Sequence, residues 1–174
     1  MTSHRRCGVT AISSPRRRTF DRLAASGERF DRAYNQLPLC NPTRASVMTG
    51  LRPDTLRVWG LKKHFREDKP KVITLPQWFK QHGYHTHSIG KIYHGSGKPS
   101  TDPPSWSVKP EFDHCEKIDQ YLLPRNRTGR KAAGAESSPS KDSDHIDGKV
   151  ADAAIRKLRQ LKQSSKPFFL AVSY

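Results

Sequence analysis

The sequence is short of apolar residues, of acids and of long hydrophobic runs, and each shortage narrows what the chain does. Only 33% of its 174 residues are hydrophobic. Adding the 11 glycines gives about 39%, below the ~45–50% of an ordinary globular domain. One modest core is the most that this length and composition build. No apolar stretch nears the ~18 residues that cross a membrane, so a membrane-spanning helix is excluded, together with collagen-like and coiled-coil architectures. The three cysteines, Cys7, Cys40 and Cys115, are odd in number and lack CxxC spacing. They make neither a disulfide framework nor a zinc site of the usual pattern. The opening MTSHRRCGVTAISSPRRR carries arginines but no apolar core of a secretory signal, so residues 1–18 read as a disordered, atypical start. Acids number 16 against 32 Lys and Arg, a net charge of +16. Such a charge suits a nucleic-acid, membrane-surface or polyanion binder, and equally a solvated basic surface, and does not choose between them.

What is present has the rhythm of an α/β fold. Phe20 to Gly27 has the composition of a short helix ended by glycine, and Arg29 to Asn35 alternates loosely like an extended segment. Two prolines stiffen residues 36–42. A helix then covers Thr43 to Thr49, with Pro42 near its first position, Gly50 closing it and Cys40 just ahead of its N-terminus. Thr74 is the N-cap of a second helix with Gln77 completing a capping box, and the helix runs through Trp78 and Phe79 to Gly83. Tyr84 to Ile89 is a strand, followed by Gly90 and Lys91. Residues 124–144 form a polar loop or disordered insert with almost nothing to bury. From Asp147 to Lys162 an apolar stripe of Val150, Ala154, Leu158 and Leu161, widened by Ala151 and Ile155, predicts a helix. Phe168 to Val172 then predicts a buried strand.

Two stretches carry chemistry. In Cys40-Asn41-Pro42-Thr43-Arg44, followed by Thr49-Gly50, a nucleophile sits where a helix begins. There, unpaired amides and the helix dipole favour anions, and a nearby arginine orients one. In Gly83-Tyr84-His85-Thr86-His87-Ser88-Ile89-Gly90-Lys91-Ile92-Tyr93-His94, a lysine and a histidine stand just past a strand end. Lysine holds a tetrahedral oxyanion as a point charge, and histidine moves a proton at neutral pH.

The first stretch resembles the C-x-P-[ST]-R-x4-T-G signature of the type I, formylglycine-dependent sulfatases. The second resembles that family's G-[YV]-x-[ST]-x2-[IVAS]-G-K-x-[YF]-H signature. FDRLAASGERFDRAYNQ, TLPQWFKQHGYHTHSIGK and DGKVADAAIRKL with KPFFLAVSY are most similar to the iduronate-2-sulfatase branch. The resemblance implies sulfuric ester hydrolysis on sulfated sugars, with a sulfated saccharide as substrate. It implies that a maturation enzyme, reading Cys40, Pro42, Thr43 and Arg44, oxidises Cys40 to formylglycine. Cys40, Arg44, Lys91 and His94 are then the catalytic set, Lys91 and His94 holding the ester oxygens and aiding the leaving group. A calcium ion is implied beside the formylglycine. Its other ligands, paired aspartates on a first strand and a later Asp/Asn-His pair, are not matched in this chain. The expected architecture is therefore a partial alkaline-phosphatase-like sandwich over residues 19–174, a mixed sheet with flanking helices that lacks its first metal-binding strand and its C-terminal half. The chain by itself is expected to be inactive.

Simpler readings stand beside these. Cys40 alone is most often a buried thiol, and Arg44 alone a solvated charge. His85 and His87 alternate on a strand as a metal pair does, yet packing is the commoner role and no third ligand is evident. Trp59, Trp78 and Trp106 read as core or lid aromatics. A phosphoesterase of the same superfamily has Ser or Thr in place of the cysteine. A nucleic-acid-binding module needs clustered basic residues with interleaved aromatics, whereas here the basic residues are spread. No nucleic acid and no membrane is expected as a partner.

Overall fold

The computed structural model describes residues 18–95, 101–112, 121–127 and 136–174; Cys7, Cys115 and His114 lie outside them. The chain divides into two compact units, Met1–Asn35 and Gln36–Tyr174.

In the first unit, helix α1 spans Arg18–Ala25, and Ser26 ends it by donating from its hydroxyl to Leu23 O at 2.8 Å. The extended segment expected over 29–35 is absent: residues 31–32 form a turn and no strand follows. Phe30 and Tyr34 are both about four-fifths exposed, so no buried face exists to hold an alternating segment flat.

The second unit is built on two parallel strands, β1 (His85–Gly90) and β2 (Phe168–Ser173), paired in register from His85↔Phe168 to Gly90↔Ser173. Along the other edge of β1 run residues 107–111. Ser107 N donates to Thr86 O, Glu111 N to Ser88 O and Gly90 N to Glu111 O, at 2.8 to 3.0 Å. Alternation sends one set of side chains to each face. On one face, Ile89 packs with Val150, Ala153 and Ala154 of α5 (Ile146–Lys162), and Leu170 joins them. On the other, Phe169 and Ala171 pack against a cluster of Ala45, Leu56, Val58, Phe65, Ile92, Tyr93 and Trp106. The helices supplying that side are α2 (Cys40–Thr49), α3 (Pro53–Leu56) and α4 (Leu75–Gln81). Helices thus lie on both sides of a small parallel sheet, an α/β arrangement.

Several boundaries differ from expectation for physical reasons. α2 begins at Cys40 itself, with Leu39 as N-cap, so Cys40 is the first helical residue and Pro42 the third. A proline lacks only an N–H that the first turn does not use, so it fits there. Thr74 caps α4 as expected, accepting from Gln77 N. Gln77, however, spends its side-chain oxygen on Arg66 Nη2 at 2.8 Å. The buried stripe of α5 is Val150, Ala153, Ala154 and Leu161, while Ile155 and Leu158 stay nearly half exposed. A sheet of two strands among the described residues covers less of the helix than a full one. For the same reason β2 is half-buried and Val172 exposed, where a buried strand was expected. Of the tryptophans only Trp106 enters the core, and Trp59 and Trp78 are exposed.

His87, buried against α5, has Nε2 3.0 Å from Glu111 Oε1, but neither ring nitrogen has a partner aligned for a hydrogen bond. Burial, seconded by Lys157 and partly opposed by Glu111, pushes its pKa below 6.5. His64 is lowered likewise, by burial first, against the pull of Asp102. Both therefore stay neutral in the fold at pH values where the unfolded chain is protonated. Stability is full above about pH 6.5 and falls as pH drops towards the depressed values, by at most ~1.4 kcal/mol per pH unit for each histidine. Urea midpoints measured between pH 7.5 and 5 are expected to show this decline. His87→Leu is expected to flatten it, and an unchanged slope in that variant would refute the assignment.

Candidate active site

Backbone geometry sets the site. The N-terminus of α2 has no side-chain cap: Leu39 is extended (φ −140°, ψ 137°) and its carbonyl accepts from Thr43 N at 3.0 Å. The free first-turn amides are the anion-binding end of the helix. Thr43 donates its hydroxyl to Leu37 O, which fixes the turn leading into Cys40. At the far end, Gly50 adopts φ 70° and donates its N–H to Ser46 O, closing α2.

Strand β1 delivers the second stretch to the same place. Gly90 ends it with φ 81°, a left-handed conformation that glycine adopts without strain. A Cβ on Gly90 would stand 1.7 Å from Ser173 O, so only glycine lets the ends of β1 and β2 approach this closely. The chain then turns through Lys91, Ile92 and Tyr93 to His94, and the buried side chains of Ile92 and Tyr93 anchor this turn in the core.

The two stretches meet. Cys40 Sγ lies 3.2 Å from His94 Nδ1, across 54 residues of sequence. Arg44, one turn further along α2, donates through Nη1 to Lys91 O and, at 3.2 Å, to Ile92 O, and lies 3.5 Å from Ser173 Oγ. Arg44 thus braces the 91–94 turn against the helix, meeting the carbonyl of Lys91. Cys40, Arg44, Lys91 and His94 are all half-buried, reachable from solvent yet held by the fold. Pro42 is buried. A narrow hollow nearby, with room for about 10 Å³, is lined by Ser88, Gly90, Ile92, Tyr93, Gly95, Thr101, Trp106 and Pro110, and by none of those four side chains.

Chemically, the grouping sets a thiol at a helix start with an imidazole against it, an arginine one turn further along the same helix, and the Lys91 carbonyl bonded to that arginine. It suits an anionic ester. It does not suit calcium, a hard cation that takes six to eight oxygens. The side chains around Cys40 and Arg44 offer a thiol, an imidazole and a guanidinium. Among the described residues no three of His, Cys, Asp and Glu cluster to hold a metal ion. The His85 and His87 rings are 6.3 Å apart and also belong to no such cluster.

Sequence reasoning missed three supports. Asn41, nine-tenths buried, donates through Nδ2 to Gly60 O (2.7 Å) and Lys63 O (2.8 Å), pinning the 60–63 loop to the residue beside Cys40. Asp102, fully buried, receives Arg66 Nε and, at 2.9 Å, Arg66 Nη2. Ser105 donates to the same carboxylate and accepts from Tyr93 OH (2.8 Å) and Thr74 Oγ1 (2.6 Å), because an ionised carboxylate only accepts. Burial raises the Tyr93 pKa, so its phenol stays protonated and donates. None of the three carries a signal in sequence: Asn41 fills the variable place of its motif, and Arg66 and Asp102 are 36 residues apart.

Comparison with known proteins is consistent with this geometry. A family model described as Sulfatase matches residues 2–174. The chain is 36% identical to iduronate 2-sulfatase of Mus musculus and, equally, to that of Homo sapiens, over 96% of this chain and 31% of each relative. It is 32% identical to a sulfatase of Formosa agariphila over 89% of this chain and 33% of that protein. The chain therefore spans about a third of the length of the curated relatives it matches.

Proposed function

The chain belongs to the sulfatase family, and on that premise we propose that it carries the nucleophile-bearing part of a sulfuric ester hydrolase acting on a sulfated saccharide. The observation that supports this most is the contact of Cys40 Sγ with His94 Nδ1 while Arg44 holds the Lys91 turn, which unites both motifs in one place. The two-sided packing on a parallel sheet fits a portion of an alkaline-phosphatase-like sandwich. In this reading Cys40 is oxidised to formylglycine by a maturation enzyme that supplies the oxidant. The hydrated aldehyde supplies an oxygen nucleophile for sulfur and a route for releasing sulfate. His94 moves the proton at that position, Lys91 offers its ammonium to the ester oxygens, and Arg44 keeps the turn in place. The implied calcium finds no oxygen cradle among the described residues, so the chemistry proposed for these side chains does not pass through the ion.

Peptide mass analysis after co-expression with a formylglycine-generating enzyme tests the reading. Position 40 is expected to lose sulfur and gain a carbonyl oxygen, and Pro42→Ala is expected to lower the converted fraction at least tenfold. An intact thiol at position 40 in the native sequence would overturn it.

A further inference from the structure

We propose that the 57–63 loop forms a second sugar subsite beside Cys40, in which Trp59 stacks on a neighbouring ring of a sulfated saccharide and Lys62 meets a second anionic group. This rests on the sulfatase reading for its ligand class and extends it to residues outside the family motifs. The two hydrogen bonds from Asn41 limit the Gly60 carbonyl oxygen to within about 10 Å of the Cys40 Cα, the sum of one Cα step, one Asn side chain and one hydrogen bond. That separation is the scale of one to two sugar rings. The loop cannot swing away without leaving Asn41, nine-tenths buried, unpaired.

Within that fixed loop, Trp59 is 57% exposed. Its Nε1 donates to Asp54 Oδ1 at 2.9 Å, so the indole is oriented although it lies at the surface. An oriented, solvent-facing indole offers an apolar plane with a negative face, complementary to the C–H face of a pyranose and to cations. Arg57 precedes it at φ 55°, a left-handed conformation that a non-glycine residue rarely adopts. Of the two lysines that follow, Lys63 is bound to Asp68 at 2.7 Å, whereas Lys62 is exposed with no ion pair among the described residues. The loop thus presents a fixed aromatic plane with an unneutralised cation three residues on. Uniform basic charge alone does not produce that arrangement.

Fluorescence titration of the full chain with a heparin-derived tetrasaccharide, and with its desulfated counterpart, tests the proposal. The sulfated probe is expected to quench tryptophan emission saturably and to bind at least tenfold more tightly than the desulfated one. Trp59→Ala is expected to weaken binding five- to tenfold and abolish most of the quench, while Trp59→Phe, which keeps a ring, restores most of the affinity. Lys62→Ala is expected to weaken binding several-fold and reduce the salt dependence, whereas Lys166→Ala, which removes one charge elsewhere, leaves binding within twofold. Unchanged thermal unfolding of each variant separates loss of contact from loss of fold. Wild-type affinity in both Trp59→Ala and Lys62→Ala overturns the proposal. So does equal affinity, through the same residues, for a single-stranded DNA of matched charge. Conversion of Cys40 is measured separately and does not enter this titration, so either reading fails without the other.

Discussion

Asp102→Ala is expected to destabilise the chain by about 3–5 kcal/mol. Asp102 is fully buried and is the acceptor at the centre of a polar network. Arg66 reaches it through two nitrogens, and also donates to Pro70 O (3.1 Å), Val72 O (2.9 Å) and Gln77. Ser105, fully buried, orients its hydroxyl toward the same carboxylate and so fixes Thr74, the cap of α4, and Tyr93, which directly precedes His94. Removing the carboxylate leaves a largely buried guanidinium without its counter-charge and reverses the direction of the hydroxyl chain. The penalty is the exposure of an unpaired charge to a low-dielectric interior more than the loss of attraction. It follows that Arg66→Met together with Asp102→Ala costs less than Asp102→Ala alone. Urea denaturation of both variants checks this, and a loss below about 1 kcal/mol for Asp102→Ala would refute the account of the network.

Gly90→Ala is expected to cost about 3 kcal/mol and to disturb the site as well as the fold. The left-handed backbone alone accounts for about 1–2 kcal/mol. The remainder comes from the backbone of β2, because the new methyl group would stand 1.7 Å from Ser173 O and 2.8 Å from its carbonyl carbon. A main-chain atom cannot rotate aside as a flexible side chain does, so the last rung of the parallel pair must open. Gly50 is an internal control: its φ is 70°, yet no heavy atom lies within 4 Å of a Cβ built there. Gly50→Ala is therefore expected to lose only the backbone share. Unfolding midpoints of the two variants separate conformational strain from collision, and equal losses would contradict the close approach of the strands. Ser173 lies 3.5 Å from Arg44, so the Gly90 variant is also expected to slow conversion of Cys40.

The elements that sequence foretold are those with local causes. Thr74 before Leu75-Pro76 marks a helix start through its own hydroxyl, and Gly50 and Gly83, at φ 70° and 85°, mark helix ends through their backbone freedom. The α5 periodicity placed the helix, but its buried face is turned towards Ala153 because the strands beneath it settle the contact, and they are remote in sequence. Alternation over Arg29 to Asn35 suggested a strand that nothing buries. Two motifs named Cys40, Arg44, Lys91 and His94, and the fold brings them together. What holds them there was illegible: Asn41 bonds to carbonyls about twenty residues away, and Arg66 pairs with an aspartate beyond the entire β1 strand. Backbone carbonyls exist at every position, so sequence gives no sign of which one a side chain will find.

The central claim is that Cys40 and His94 share one site although they come from separate motifs. The most direct measurement is the ¹⁵N imidazole resonance of His94, recorded for the native chain and for Cys40→Ser. With sulfur 3.2 Å from Nδ1, exchange of sulfur for oxygen is expected to shift that resonance and leave His82 unmoved. A His94 signal identical in the two proteins would mean that the imidazole does not touch residue 40, and the shared site would be lost with it.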